Sequence, residues 1–381
     1  MVHSHNHIRS SIMENKTVVR AVDVGYGNVK FTLSHPNFTS PIECSSFPSR
    51  SPVASGKSLA GGILSNLKTV TVQVGESVYE VGSDVAHAET INDTGAVLEK
   101  KFCLSDQYKA RLLGALHYMI TGKDSSGQPY MQGSTIDILV LGLPVATYRD
   151  AVIREQLSNS LANTTHKYPN GNTVKIGVVR VVPQPLGAFY DYANKNNLIE
   201  QLMTETNLIV DIGYFTFDWL FCHGMKPVAN RSDSVNKGMS EILKGVSAAV
   251  IKQYGFDSDV NTLARILDLH LTSGKTTPCN VYSRNIDVMD YLGHGKPTIN
   301  SALASLSGSV GDGIDINNII LAGGGAKFFQ SAIEEKFPHN KVIVSDLPAF
   351  TNVRGFQLAG EAWASSAVVK ARKEERIGVV S

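Results

Sequence analysis

The pattern Asp-x-Gly-Tyr occurs twice, half a chain apart. It stands as Asp23-Val24-Gly25-Tyr26 within VVRAVDVGYGNVKFTL (18–33) and as Asp211-Ile212-Gly213-Tyr214 within NLIVDIGYFTFDWLF (207–221). The offset is 188 residues (211 − 23) in a chain of 381. A repeat at that spacing constrains the fold to two related lobes, and the length suits two lobes better than one small domain. Each copy reads as a hairpin: an aliphatic, β-branched strand ends in Asp-x-Gly, turns, and resumes with apolar residues.

The repeated residues carry chemistry as well as shape. Glycine lets backbone N–H groups approach a ligand closely, and an aspartate at a strand end points a carboxylate to the same place. Two such hairpins face to face offer amides to phosphate oxygens and carboxylates to a hydrated Mg²⁺. A single copy reads better as an ordinary hairpin with a glycine turn. The second copy in the same frame favours the ligand-binding reading.

Between and after the repeats the chain alternates strands and helices. The pattern predicts a hairpin over 70–82, a helix over 104–120 capped by Ser105 or Asp106, and a buried strand over 136–143 ending at Pro144. It predicts a helix over 148–163, a strand over 173–182, and a helix opening at PQPLGAFYDYA with Pro185 in its first turn. In the second half it predicts a hairpin over 207–228, an amphipathic helix over 237–255, and a less regular helical insertion over 258–311. A strand, glycine turn and helix follow over 317–337, then a short strand over 341–346 and a terminal helix over 352–375. The expected class is α/β with mixed sheets.

Gly323, Gly324 and Gly325 lie between an apolar strand and an amphipathic helix. Three glycines there let a base or ribose-phosphate rest on the backbone near a helix N-terminus, or serve only as a tight joint. SGKS (55–58), SGKT (273–276) and GHGKP (293–297) imitate the end of a P-loop, but the earlier glycine that motif needs is missing.

Composition narrows the function classes. With 35 Lys+Arg against 34 Asp+Glu the chain has no global basic field for wrapping nucleic acid. The run KARKEER near the C-terminus mixes signs and reads as a solvated helix end. At 43% hydrophobic and 18% charged residues the chain has material for a large core. No apolar run reaches membrane-spanning length, and the N-terminus lacks a secretory apolar segment. The four cysteines are scattered and form no CxxC pair, which argues against a disulfide framework or zinc site. These features lead us to expect a soluble, cytoplasmic protein with no membrane partner. His3, His5 and His7 lie in a polar stretch, and residues 1–16 are expected to be a flexible leader.

The motifs taken together resemble the actin/Hsp70/sugar-kinase superfamily. Asp23-x-Gly25-x-Gly27-x-x-Lys30 is similar to its first phosphate loop and Asp211-x-Gly213-x-x-Thr216-x-Asp218 to its second. Gly323–Gly325 resembles the adenosine motif, VVPQPLGAFYDY the first connecting helix and NVRGFQLAGEAW the second. Within the superfamily, DVGYGNVK, LGLPV, PQPLGA and DIGYFTFDW are most similar to bacterial and plasmid actin-like proteins of the ParM/StbA type. The resemblance spans roughly residues 18–365, with five motifs in order.

The resemblance implies an actin-like ATPase fold: two ribonuclease-H-like lobes, 17–205 and 206–381, around a nucleotide cleft. It implies ATP and Mg²⁺ as ligands, filament assembly from copies of the chain, and hydrolysis that destabilises the filament. Plasmid segregation would run through a DNA-bound adaptor protein, without direct nucleic-acid contact. Carried over, Gly25, Tyr26, Gly27 and Asn28 place amides on the β-phosphate, and Lys30 neutralises phosphate charge. Asp23 and Asp211 orient Mg²⁺ through its waters. Gly213 and Thr216 meet the γ-phosphate, with Tyr214 in the same loop. Gln184 positions the attacking water, and Lys237, Gly238 and Glu241 contact the adenosine. Asp218 reads either as a hairpin residue or as a helper in the second loop. One departure is clear: Tyr214-Phe215 stand where many relatives carry small residues.

The resemblance leaves three other functions open. A small-molecule kinase needs an acidic base near a substrate hydroxyl, and no extra motif marks one. An Hsp70-like chaperone needs a peptide-binding region beyond the last motif. A non-polymerising ATP switch or scaffold differs only in surfaces that have no readable code.

Overall fold

The computed structural model describes residues 17–37, 40–54, 68–85, 101–272 and 278–378. The leader 1–16 and the stretches SGKS and SGKT lie outside the described residues.

The first repeat copy forms β1 (Val19–Val24) and β2 (Asn28–Ser34), antiparallel, with Asp23 opposite Lys30. All six β1 residues are buried, as expected of a strand covered on both faces. β3 (Glu43–Pro48) pairs with β2, while β4 (Thr69–Val74) and β5 (Ser77–Gly82) form a separate hairpin. α1 (Asp106–Thr121) covers one sheet face, and Ser105 Oγ caps it by accepting from the Tyr108 N–H at 3.2 Å. β6 (Thr135–Leu143), the short α2 (Val145–Tyr148), α3 (Ala151–Leu161), β7 (Thr165–Lys167) and β8 (Thr173–Pro183) complete the lobe. The sheet order is β3-β2-β1-β6-β8-β7, with β1, β6 and β8 parallel. α4 (Gln184–Lys195) and the single turn α5 (Ile199–Leu202) lead to the second lobe.

The second lobe repeats the plan. β9 (Thr206–Ile212) and β10 (Phe217–His223) form the second hairpin, with Asp211 opposite Asp218. β11 (Lys226–Pro227) and β12 (Asp233–Val235) pair with β10. α6 (Met239–Tyr254) and α7 (Val260–Thr272) pack together beside a small hairpin, β13 (Cys279–Val281) and β14 (Arg284–Ile286). That hairpin interrupts the segment expected to be helical. Its turn residues Tyr282 and Ser283 both have positive φ, at 47° and 61°, and neither is the glycine or asparagine that announces such a turn. α8 (Lys296–Val310), β15 (Asn318–Ala322), α9 (Ala326–Lys336) and β16 (Lys341–Val344) follow. β15 runs parallel to β9, as β6 does to β1.

α10 (Thr351–Gly378), which the division at 205/206 assigned to the second lobe, packs against the sheet of the first. Val353 and Phe356 pack with Val19, Ala21 and Val140 of the first sheet. Gln357 donates to the Val19 carbonyl at 3.0 Å and accepts from Thr32 Oγ1 at 2.8 Å. α4 makes the opposite crossing: Ala188 and Phe189 pack with Ile209, Leu220 and Ile320 of the second lobe. Each helix thus buries its apolar stripe on the other lobe's sheet, where one large side chain stabilises by roughly 1.5–3 kcal/mol. The two helices cross at Gly187 and Gly355, so closely that a Cβ on Gly355 would overlap the Gly187 carbonyl oxygen. Beside the crossing, buried Arg354 donates to both carboxylate oxygens of Asp191, at 2.8 and 2.7 Å.

Candidate functional site: a cleft between the two hairpins

The two hairpin turns face each other across a cavity of about 410 Å³. From the first come Asp23, Gly25, Tyr26, Gly27, Asn28 and Lys30, and from the second Asp211, Gly213, Tyr214 and Thr216, all lining it. Gln184, Gly324 and Gly325 line it too. Gly323 sits one layer back with φ +83°, and a Cβ there would strike the Asp211 carboxylate and the Ile212 carbonyl.

Each repeat aspartate is held by an amide from a crossing helix. Gln184 Nε2 donates to Asp23 Oδ1 at 2.7 Å, and Asn352 Nδ2 donates to Asp211 Oδ2 at 2.7 Å. Lys30 Nζ lies 3.7 Å from Asp23 Oδ2. Asp218, wholly buried, accepts from the Val145 N–H of the first lobe at 2.8 Å. Burial pushes the Asp211 carboxyl up to about 7, and the charges of Asp218 and Asp23 add to the shift. Lys30 and the Asn352 amide oppose it. Burial also raises Asp218, against the hydroxyls of Thr216 and Ser234 and the Val145 N–H.

Three buried carboxylates around one ammonium leave this end of the cleft short of positive charge. A hydrated divalent cation fits that donor set. Among the described residues no cluster of three or more His, Cys, Asp or Glu is arranged to ligate a metal directly. A Mg²⁺ here would keep most of its waters and take its remaining contacts from phosphate oxygens.

The segment 237–241 is braced within its own lobe. Lys237 hydrogen-bonds the Ser301 hydroxyl, and Glu241 pairs with Lys244 at 2.6 Å. Gly238 donates its N–H to the Phe215 carbonyl at 3.0 Å and so braces the second loop. None of the three lines the cavity, whereas Met239 between them does. The Lys237 and Glu241 side chains find partners on their own lobe.

The structure adds residues that sequence reasoning passed over. Met239, Leu271, Phe328 and Phe350 give the cavity an apolar wall near Gly324 and Gly325, the surface a flat base would need. Asn352 was within reach of sequence, since it opens the second connecting helix as Gln184 opens the first. Tyr214 and Phe215, the bulky departures, have a visible use. The Phe215 ring lies 5.1 Å from that of Tyr26 across the cleft, and Tyr26 stacks on Phe102 at 5.2 Å.

This arrangement of sheets, crossing helices and facing hairpins has relatives. A family model for the N-terminal domain of actin-like proteins matches residues 21–187, and one for the C-terminal domain of the archaeal MreB-like actin homologue matches residues 209–335. The chain belongs to the actin-like proteins. Among solved structures, the archaeal actin homolog Ta0583 in complex with ADP is 18% identical over 91% of this chain and 99% of that one, with a TM-score of 0.65. The 15-stranded ParM filament from Clostridium botulinum is 20% identical over 90% of this chain and 99% of its own, with a TM-score of 0.65. The actin-like protein Alp7A is 16% identical over 94% of this chain and 99% of its own, with a TM-score of 0.67. At these identities the likeness establishes the actin-like fold. No curated protein sequence matches the chain.

Proposed function

We propose that this actin-like protein binds ATP with Mg²⁺ in the cleft, hydrolyses it, and assembles into filaments whose turnover follows hydrolysis. One observation carries the proposal: two Asp-Gly hairpins, each aspartate braced by an amide from a crossing helix, face each other across one cavity. The loop amides of Gly25–Asn28 and Gly213–Thr216 would hold phosphate oxygens, with Lys30 neutralising charge. Asp23 and Asp211 would hold the waters of Mg²⁺, which supplies charge stabilisation to the transferring phosphoryl group. Gln184 would align the attacking water. An amide is no base, so its contribution is positioning. Gly324, Gly325 and the neighbouring apolar wall would take the base.

Self-assembly is supported by relatives that include a ParM filament. A role in plasmid segregation through a DNA-bound adaptor is the further part of the proposal. It agrees with a chain whose formal net charge is only +1, too little to wrap DNA. Among the described residues no helix is long and apolar enough to cross a membrane, and we place the protein in the cytoplasm.

Sedimentation and light scattering of the purified protein with Mg·ATP, Mg·ADP and no nucleotide test the proposal. Assembly with Mg·ATP that reverses as ADP accumulates is expected. Nucleotide binding without assembly across protein and salt concentrations would reject the filament reading in favour of a switch.

A further inference from the structure

Asn352 stands at the start of α10, which packs on the first lobe's sheet through the neighbouring Val353, yet its amide reaches the second lobe's aspartate. Its Nδ2 donates to Asp211 Oδ2 at 2.7 Å. The backbone of Asn352 is pinned, because a Cβ on Gly187 of α4 would already overlap the Asn352 carbonyl oxygen. The side chain is short and the residue 3% exposed, which leaves the NH2 group little freedom. An ionised carboxylate only accepts, so the amide must turn its NH2 to Asp211 and its own Oδ1 the other way. That Oδ1 is buried with no partner among the described residues. A buried acceptor left unpaired is costly, and a leucine would fill a similar space without the cost. The amide thus loses stability on one side while holding a carboxylate on the other.

Asp211 lines the cavity, and with Oδ2 occupied the oxygen it leaves open is Oδ1. That atom has no partner among the described residues and, unlike the buried Asp218 Oδ2, stays accessible. The space beside it exists only because residue 323 is glycine, since a Cβ there would strike Asp211 Oδ1. Asp23 is held on both oxygens, by Gln184 and by Lys30. Asp211 has Asp218 as its cross-strand partner, and among the described residues Asn352 is the one side chain that donates to it. Resting on the reading that the cleft holds a nucleotide with a hydrated divalent cation, Oδ1 is the Asp211 atom that would accept from a water of that cation.

We propose that Asn352 is a positioning residue: by occupying Oδ2 of Asp211 it turns Oδ1 to the cavity and so sets how tightly the nucleotide-filled cleft holds Mg²⁺. Asn352→Leu removes the amide at similar size, and Asn352→Val removes it with less bulk. ADP binding to each full-length protein is titrated in EDTA and over a range of Mg²⁺ concentrations. The Mg²⁺ concentration that half-saturates the ADP complex should rise about tenfold or more in both variants, while ADP affinity in EDTA stays within about twofold of wild type, as expected on losing the partner of a metal-holding group. The midpoint is read on nucleotide-bound protein, so it does not depend on how much of a variant folds. A wild-type midpoint in either variant, or an equal loss of ADP affinity with and without Mg²⁺, overturns this inference alone. Wild-type protein whose ADP binding ignores Mg²⁺ overturns the cation reading and this inference with it. Wild-type protein that binds no ADP overturns the nucleotide reading itself.

Discussion

Asp218 occupies in the second hairpin the position that Lys30 occupies in the first. Each lies seven residues after the repeat aspartate (30 − 23 and 218 − 211) and is its cross-strand partner, Asp23 opposite Lys30 and Asp211 opposite Asp218. The repeat is therefore matched in backbone and opposite in charge. One aspartate faces an ammonium, whereas the other faces a second carboxylate and rises to about 7.

Asp218 also ties the lobes together, through the Val145 N–H. Asp218→Ala leaves that buried N–H without its acceptor and should cost about 1–3 kcal/mol in urea unfolding. Asp218→Asn keeps an acceptor oxygen and removes a buried carboxylate, so it should stay within about 1 kcal/mol of wild type. Equal losses in both variants would show that the hydrogen bond to Val145 is not what Asp218 contributes.

Gln184 is held by Asp23 at the mouth of the helix crossing. Gln184→Ala should slow ATP hydrolysis by about a hundredfold, the scale of a lost positioning contact, while the dissociation constant for Mg·ATP changes only a few-fold. Single-turnover rates set beside equilibrium titrations make the comparison. Wild-type turnover would remove Gln184 from the reaction.

The glycine crossing of α4 and α10 admits no side chain. Gly355→Ala should lower stability by about 3 kcal/mol or leave little folded protein, because a methyl would overlap the Gly187 carbonyl. Gly308→Ala, inside α8 with open space around it, should instead stabilise by about 0.5–1 kcal/mol. Thermal unfolding of the pair separates a packing effect from a general intolerance of alanine.

Burial pushes the Asp268 carboxyl at the cleft wall up to about 7, against the Arg50 charge that favours ionisation. With the folded value raised, the native protein keeps a proton between about pH 4 and 7 that the unfolded chain has released. Its contribution to stability is present at pH 4 and lost as pH rises through 7. Asp268→Asn should gain about 1 kcal/mol over wild type at pH 7.5 relative to pH 4.5, read from urea midpoints. Parallel pH profiles for the two proteins would refute it.

Tyr26 and Phe215 bridge the two turns with rings 5.1 Å apart. Phe215→Ala removes the bridge and should speed release of a fluorescent ADP analogue several-fold in stopped flow, with little change in melting temperature. An unchanged release rate would mean that the ring contact does not restrain the cleft.

Most secondary structure was legible because it rests on local rules. The predicted strand over 136–143 is β6, and the helix beginning at Ser105 starts where that hydroxyl caps it. The β13–β14 hairpin was not legible, because its positive-φ turn is built from Tyr282 and Ser283, residues that do not signal such a turn. In the site, the residues of both hairpins were legible from the repeat and do line one cavity. The partners of Lys237 and Glu241 were not legible, because a charged side chain beside a motif shows nothing of its direction. Met239 was invisible because an apolar residue at helical spacing reads as core.

The sequence by itself determined that there are two related lobes, that each begins with an Asp-Gly hairpin, and that a glycine run joins strand to helix late in the chain. These are matters of periodicity and backbone permission, which short segments encode. Only the tertiary structure decided that α10 belongs against the first sheet, and that Gln184 braces Asp23 while Asn352 braces Asp211. Those outcomes depend on how two helices cross, and the crossing is set by contacts between residues more than a hundred positions apart.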